Sequence, residues 1–223
     1  MEKNEINNNI KLFKQLHNAI VTYNKKSTEC LTKEMILGKV CPLAILEEIT
    51  RAIKSVSESF FNQELWLPDL MLATDTMMLS FNIVENEIKK MKLKAKFFGI
   101  VVIGTVYGDV HDIGKTMVST FLIANGFKVH DLGVNVDTES FLLAVKKHKP
   151  DILAMSSLLS TSMIEQKRVI DILKKEGLKD KVKVIVGGSA ITEDFALEIG
   201  ADGYDPTAPG AVKLAKELIL KTT

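Results

Sequence analysis

The sequence predicts an α/β protein in two parts, a four-helix bundle over residues 1–91 followed by a doubly wound, five-stranded parallel sheet over residues 92–223. Three observations lead there. Up to Ile88 apolar residues recur at steps of three and four with no β-branched run, the period of amphipathic helices. After residue 92 short apolar runs alternate with helical periods, the pattern of successive βα units. A chain of 223 residues is also long enough to bury one large core or two small ones.

In the first part, Ile10, Phe13, Leu16, Ile20 and Tyr23 mark one helical stripe. A second runs through Leu43, Leu46, Ile49, Ile53, Val56 and Phe60, with Pro42 suited to its first turn. A third runs from Leu70 and Met71 through Met77, Met78, Phe81, Val84 and Ile88, with Pro68 and Asp69 at its entrance. A shorter helix is expected between Thr32 and Gly38. Short connections between such helices imply an antiparallel bundle. The basic run Lys89 to Lys96 reads as a solvated linker.

In the second part, Phe98 to Gly104 reads as a buried strand, followed by a helix from Lys115 to Asn125 that Gly126 closes. Lys128 to Leu132 is a strand, and Asp137 caps a helix reaching His148. Asp151 to Ser156 is the next strand, with a helix from Met163 to Glu176. Val182 to Val186 leads to Gly187-Gly188 and a short helix from Thr192 to Gly200. Ala201 to Tyr204 is the last strand, and Pro209 opens the final helix. Sheets of this kind bind ligands beyond the carboxyl ends of their strands, where the strand order reverses. The loops after the Phe98 and Asp151 strands are the first places to look.

Composition narrows the function. Lys plus Arg (29) against Asp plus Glu (28) leaves a net charge of +1, no footprint for nucleic acid or an anionic membrane. No run of eighteen apolar residues is present, so no transmembrane span is expected. The opening MEKNEINNNIKLF has neither an apolar core nor a cleavage site, and the expected location is the cytoplasm. Cys30 and Cys41 have no zinc spacing and read as reduced thiols.

The loop after the first strand runs Gly104-Thr-Val-Tyr-Gly-Asp109-Val-His111-Asp-Ile-Gly114-Lys. It is glycine-rich, but it lacks the spacing of a nucleotide-binding P-loop. An acid two residues before a histidine suggests an imidazole presented to a metal or a proton, its tautomer set by the carboxylate. The loop after the Asp151 strand, Ser156-Ser-Leu158-Leu-Ser160-Thr-Ser162, holds five hydroxyls in seven positions. Taken alone, Ser162 reads as a cap for the helix that follows. Gly187-Gly188 in the neighbouring loop lets a ligand approach backbone closely. Together these features imply a large, flat or extended ligand. His17, His130 and His148 lie outside every motif and read as surface or satisfied residues.

Asp109-x-His111-x-x-Gly114, then Ser156-x-Leu158, then Gly187-Gly188 resembles the signature of cobalamin-binding domains. GTVYGDVHDIGK, Asp131-Leu-Gly-Val and Gly200-Ala-Asp-Gly-Tyr204 resemble the corrinoid proteins of methyltransferase systems. The segment Glu58 to Met71, with Trp66-Leu67-Pro68 at its centre, is similar to the helical cap of those proteins and of cobalamin-dependent methionine synthase. The resemblance spans roughly residues 10 to 220. It implies a helical cap domain (1–91) before a flavodoxin-like cobalamin-binding domain (92–223).

The resemblance further implies cobalamin or a related corrinoid bound with His111 as lower axial cobalt ligand, Asp109 on its other nitrogen and Ser162 extending the relay. Gly108, Val110, Asp112, Ile113 and Gly114 would shape the loop under the corrin. Ser156, Leu158, Ser160, Gly187 and Gly188 would line the slot for the nucleotide tail, with Tyr204 near its end. Trp66 would cover the methyl-bearing face, although packing between bundle helices is the simpler role for such a residue.

The implied function is a corrinoid methyl carrier, the component of a methyltransferase system whose cobalt cycles between Co(I) and methyl-Co(III). A chain this short has no room for a substrate barrel of about 250 residues. The implied partners are therefore a substrate-specific methyltransferase, a second methyltransferase for a thiol or folate acceptor, and a corrinoid-reducing activase. The alternative is a cobalamin-responsive regulatory or sensor module, for which a basic DNA-binding region would be expected.

Overall fold

The structure, a computed structural model, describes residues 2–221, with side chains from residue 8 onward. Its residues divide into two compact units, Met1–Lys96 and Phe97–Thr223.

The first unit is all-helical. It comprises α1 (Glu2–Val21), α2 (Lys25–Leu37), α3 (Pro42–Phe61) and α4 (Leu67–Lys90). Leu16, Ile20, Met35, Ile49, Ile53 and Met77 are fully buried and form its core. Three expectations shift. The buried face of α3 runs through Ile45, Ile49, Ala52, Ile53 and Val56, so Leu43 and Leu46 fall on its flank, and Ile10 at the start of the first stripe is 48% exposed. Helix α2 begins at Lys25 rather than Thr32 because Asn24 caps it, its side chain accepting from Ser27 N–H at 3.0 Å. Its buried face is largely polar: Thr28 and Thr32 sit beside Met35, and Thr32 Oγ1 meets Ser80 Oγ of α4 at 2.7 Å. A hydroxyl-lined face leaves no apolar period to read.

Glu48 on α3 is nearly buried and joins two helices. Its carboxylate meets His17 Nδ1 of α1 at 2.7 Å and accepts from Arg51 at 2.7 Å, which satisfies His17.

The second unit alternates strand and helix: β1 (Ile100–Thr105), α5 (Ile113–Ala124), β2 (Lys128–Asp131), α6 (Thr138–His148), β3 (Ile152–Ser156), α7 (Ile164–Lys175), β4 (Lys183–Gly187), α8 (Glu193–Ile199), β5 (Gly203–Tyr204) and α9 (Ala208–Leu220). The strands are parallel in the order β2-β1-β3-β4-β5, in register through Val102↔Leu153 and Leu153↔Val184. Order reverses between β1 and β3, the pair expected to open the binding crevice. Alternate strand residues face opposite ways. Val102, Leu153 and Val184 pack with Phe141, Ile170 and Leu173 of α6 and α7, while α5 and α9 pack together.

The caps follow local chemistry. Asp137, Thr192 and Thr207 each accept a backbone N–H three residues on, and Gly200 ends α8 at φ +79°. The rings of His130 and His148 stack with centroids 3.9 Å apart. Among the described residues, no helix is long and apolar enough to cross a membrane.

Candidate functional site

The carboxyl ends of β1, β3, β4 and β5 open onto one cavity of about 880 Å³, toward the upper end for small-molecule sites. Val110, His111, Asp112, Ile113 and Gly114 line it from the β1 side. Ser156, Leu158, Gly187, Gly188 and Tyr204 line it from the other strands. Sequence reasoning missed the apolar floor, Ile103, Ala154 and Ile185 of the strands and Val118 of α5, because apolar strand and helix residues read only as core. It also missed Lys115 and the β5–α9 loop from Asp205 to Thr207.

Asp109 is fully buried behind His111. Its Oδ1 accepts from His111 N–H at 3.0 Å and lies 2.7 Å from His111 Nδ1. Its Oδ2 accepts from Leu158 N–H at 2.6 Å, Leu159 N–H at 3.3 Å and Ser162 Oγ at 3.3 Å. Burial alone would push this carboxyl up, but the N–H groups of His111, its ring and the Leu158 and Leu159 amides outweigh it and hold the carboxyl at about 2. An ionised Asp109 can only accept, so Nδ1 carries the proton and Nε2 presents its lone pair. The His111 ring is 49% exposed, and its backbone is held by Thr105 Oγ1, which donates to His111 O at 3.0 Å.

Ser162 does not cap the following helix. Helix α7 has no side-chain cap, and Ser162 Oγ turns inward to Asp109 and to Ser157 Oγ at 2.8 Å. Ser157, fully buried, therefore joins the network although nothing in the hydroxyl run distinguishes it from its neighbours. Gly188 adopts φ +115°, and a Cβ there would stand 1.9 Å from Ser157 O, so the β3 and β4 loops touch backbone to backbone. Four of the expected site residues lie off the cavity wall in this unit. Asp109 and Ser162 stand behind the imidazole, Gly108 makes the turn before Asp109 at φ +78°, and Ser160 is exposed on the β3–α7 loop. Trp66 belongs to the helical unit and is 78% exposed.

The donor set indicates what fits. Among the described residues no three His, Cys, Asp or Glu side chains could hold a metal ion together. One imidazole locked by a carboxylate suits instead a metal that brings its other ligands with it, as in a corrinoid. The large, mainly apolar cavity and the close β3–β4 approach beside it match that requirement.

Residues 99–213 match the family described as B12 binding domain, and residues 12–85 match a second B12 binding domain family. The chain belongs to the B12-binding family. This B12-binding chain is 40% identical to dimethylamine corrinoid protein 2 of Methanosarcina acetivorans, over 94% of this chain and 96% of that one. It is 37% identical to the trimethylamine corrinoid protein of Methanosarcina barkeri, over 89% of this chain and 92% of that one. The methanol:cobalamin methyltransferase complex of Methanosarcina barkeri contains a chain of the same architecture. That match has TM-score 0.82 and 29% identity, covering 96% of the B12-binding chain and 81% of its counterpart.

Proposed function

We propose that this protein is the corrinoid methyl carrier of a methyltransferase system, with a methylated amine as the donor class. The observation that carries the reading is the 2.7 Å contact between Asp109 Oδ1 and His111 Nδ1 at the edge of the cavity. When bound, a corrinoid supplies a cobalt that accepts and gives up a methyl group as its oxidation state changes.

The chain's own residues set the conditions for that chemistry. His111 would hold the cobalt of a bound corrinoid through Nε2. Asp109 keeps the proton on Nδ1; the His111 N–H and ring with the Leu158 and Leu159 amides keep Asp109 ionised, and Ser162 helps to aim it. With Nδ1 held by Asp109, a proton taken up at a free Nε2 would be stabilised by the same carboxylate, so holding a metal and holding a proton at Nε2 would be linked. Val110, Ile113 and Gly114, which line the cavity beside His111, would lie against a bound corrin ring, and Ser156, Leu158, Gly187, Gly188 and Tyr204 would take its nucleotide tail.

Residues 1–91 would serve as the cap, with Trp66 as the aromatic that would cover a bound methylated cofactor. The donor relationship is supported by the two amine-system relatives, and a partner methyltransferase by the methanol complex. A second methyltransferase for a thiol or folate and a reducing activase complete the proposed set. The exposed free thiols of Cys30 and Cys41 support a reducing, cytoplasmic setting.

The test is magnetic resonance of the protein loaded with Co(II) cobalamin. Enriching histidine with nitrogen-15 should change the splitting, and His111→Ala should abolish that change while retaining corrinoid through the tail slot. A splitting that responds only to labelling of the cofactor's own base removes His111 from the metal.

A further inference from the structure

The His111 loop is held from two sides, and the second side plays no part in the reading above. On the β3 side the Asp109 carboxylate takes the Leu158 and Leu159 amides. On the β2 side a single residue, Asn135, grips two consecutive residues of the loop. Its Oδ1 accepts from Gly108 N–H at 2.8 Å, and its own N–H donates to Asp109 O at 2.9 Å. Both Gly108 (φ +78°) and Asn135 (φ +54°) are left-handed, and asparagine is among the few non-glycine residues that adopt this conformation readily.

The loop that carries Asn135 is itself tied into the sheet. Thr105 N–H donates to Gly133 O and Val136 N–H to Thr105 O, so the β2–α6 loop continues the sheet alongside the end of β1. At the foot of that loop Asp131 Oδ1 accepts from Gly133 N–H, and Asp131 Oδ2 takes the ammonium of buried Lys115 from the first turn of α5. That loop is therefore tied to the chain both before and after His111. Asn135 is itself exposed and absent from the cavity wall, so packing does not account for its geometry.

We propose that Asn135 is a positioning residue: by fixing the Gly108–Asp109 backbone it sets the direction from which the carboxylate meets the His111 ring, and so the aim of Nε2. This rests on the reading of His111 as the lower ligand. A flexible Gly108–Asp109 turn would let the buried carboxylate keep its β3 contacts while the imidazole swings off axis.

Asn135→Gly removes Oδ1 but keeps the left-handed backbone and the N–H to Asp109 O. Asn135→Asp restores the acceptor. Two measurements follow each variant: Gly108 amide exchange in the cofactor-free protein, and the histidine-ligated fraction of bound Co(II) cobalamin by magnetic resonance. Asn135→Gly should speed Gly108 exchange at least tenfold and lower the ligated-to-unligated ratio five- to tenfold, and Asn135→Asp should return both to within twofold of the parent. Faster exchange with an unchanged ratio overturns the positioning role, as does unchanged exchange or failure of Asn135→Asp to rescue. His111→Ala separates the two ideas. If it keeps the histidine-dependent splitting, the ligand assignment itself fails; if it loses it while Asn135→Gly keeps the full ratio, only the role of Asn135 fails.

Discussion

The Asp109 carboxylate accepts the Leu158 backbone N–H at 2.6 Å, joining the loop after β1 to the loop after β3 through one buried anion. The same anion orients His111, so binding-site geometry and fold stability depend on a common group.

Asp109→Asn should lower stability by about 1–3 kcal/mol, because its NH2 must face one of the donors now met by oxygen. The parent's dependence on pH follows from the sign of the shift. The carboxyl is held down at about 2 in the folded protein, so its contribution is complete above the ordinary carboxylate range and is lost as pH falls from about 4 through about 2. That contribution is on the order of 2 kcal/mol. Urea midpoints measured from pH 2 to 7 should fall in this acid range for the parent and fall less for Asp109→Asn. Parallel curves would remove Asp109 as their source.

Gly114→Ala and Gly188→Ala should separate ligand binding from folding. At Gly114 a Cβ meets nothing within 4 Å and stands on the cavity wall in the first turn of α5. The cofactor-free fold should hold or gain up to about 1 kcal/mol, while corrinoid affinity falls at least tenfold. At Gly188 the Cβ would strike Ser157 O, so the unfolding temperature and affinity should fall together. Calorimetry of both cofactor-free variants, paired with corrinoid titration, checks the contrast.

Glu48→Ala should weaken the helical unit by about 1–3 kcal/mol, since it strips His17 and Arg51 of their shared partner and leaves space at a nearly buried position. Corrinoid affinity should stay within twofold of the parent. A tenfold loss of affinity would show that Glu48 serves binding as well as the bundle.

Trp66→Ala tests the proposed aromatic cover. A side chain that is 78% exposed cannot supply the 3–5 kcal/mol of a buried tryptophan, so thermal stability should change by less than about 1 kcal/mol. If Trp66 shields the methyl-bearing face in the loaded protein, photolysis of the methylated form should be several-fold faster in the variant. Equal photolysis rates in a folded variant would take Trp66 out of the site.

What the sequence determined by itself is local. Apolar runs of strand length between helical periods specify the βα alternation, and Asp137, Thr192, Gly200 and Pro42 mark helix ends because capping acts within four residues. The Asp109-x-His111 pair is legible for the same reason: a carboxylate two residues before an imidazole can reach Nδ1 within one loop. Tertiary structure decided the contacts between distant segments. Whether Ser162 caps α7 or turns to Asp109 depends on a carboxylate 53 residues away. That Gly188 must lack a Cβ depends on Ser157 lying against it across the β3–β4 pairing. The full length of α2 rests on an Asn24 cap and a hydroxyl contact to Ser80, 48 residues from Thr32, which leave no apolar stripe. Asn135 carries no sequence signal, because a polar residue after a strand looks like any turn until the fold sets its side chain 2.8 Å from Gly108 N. Short-range chemistry is written in spacing; a hydrogen bond between loops exists only once the sheet has brought their strands side by side.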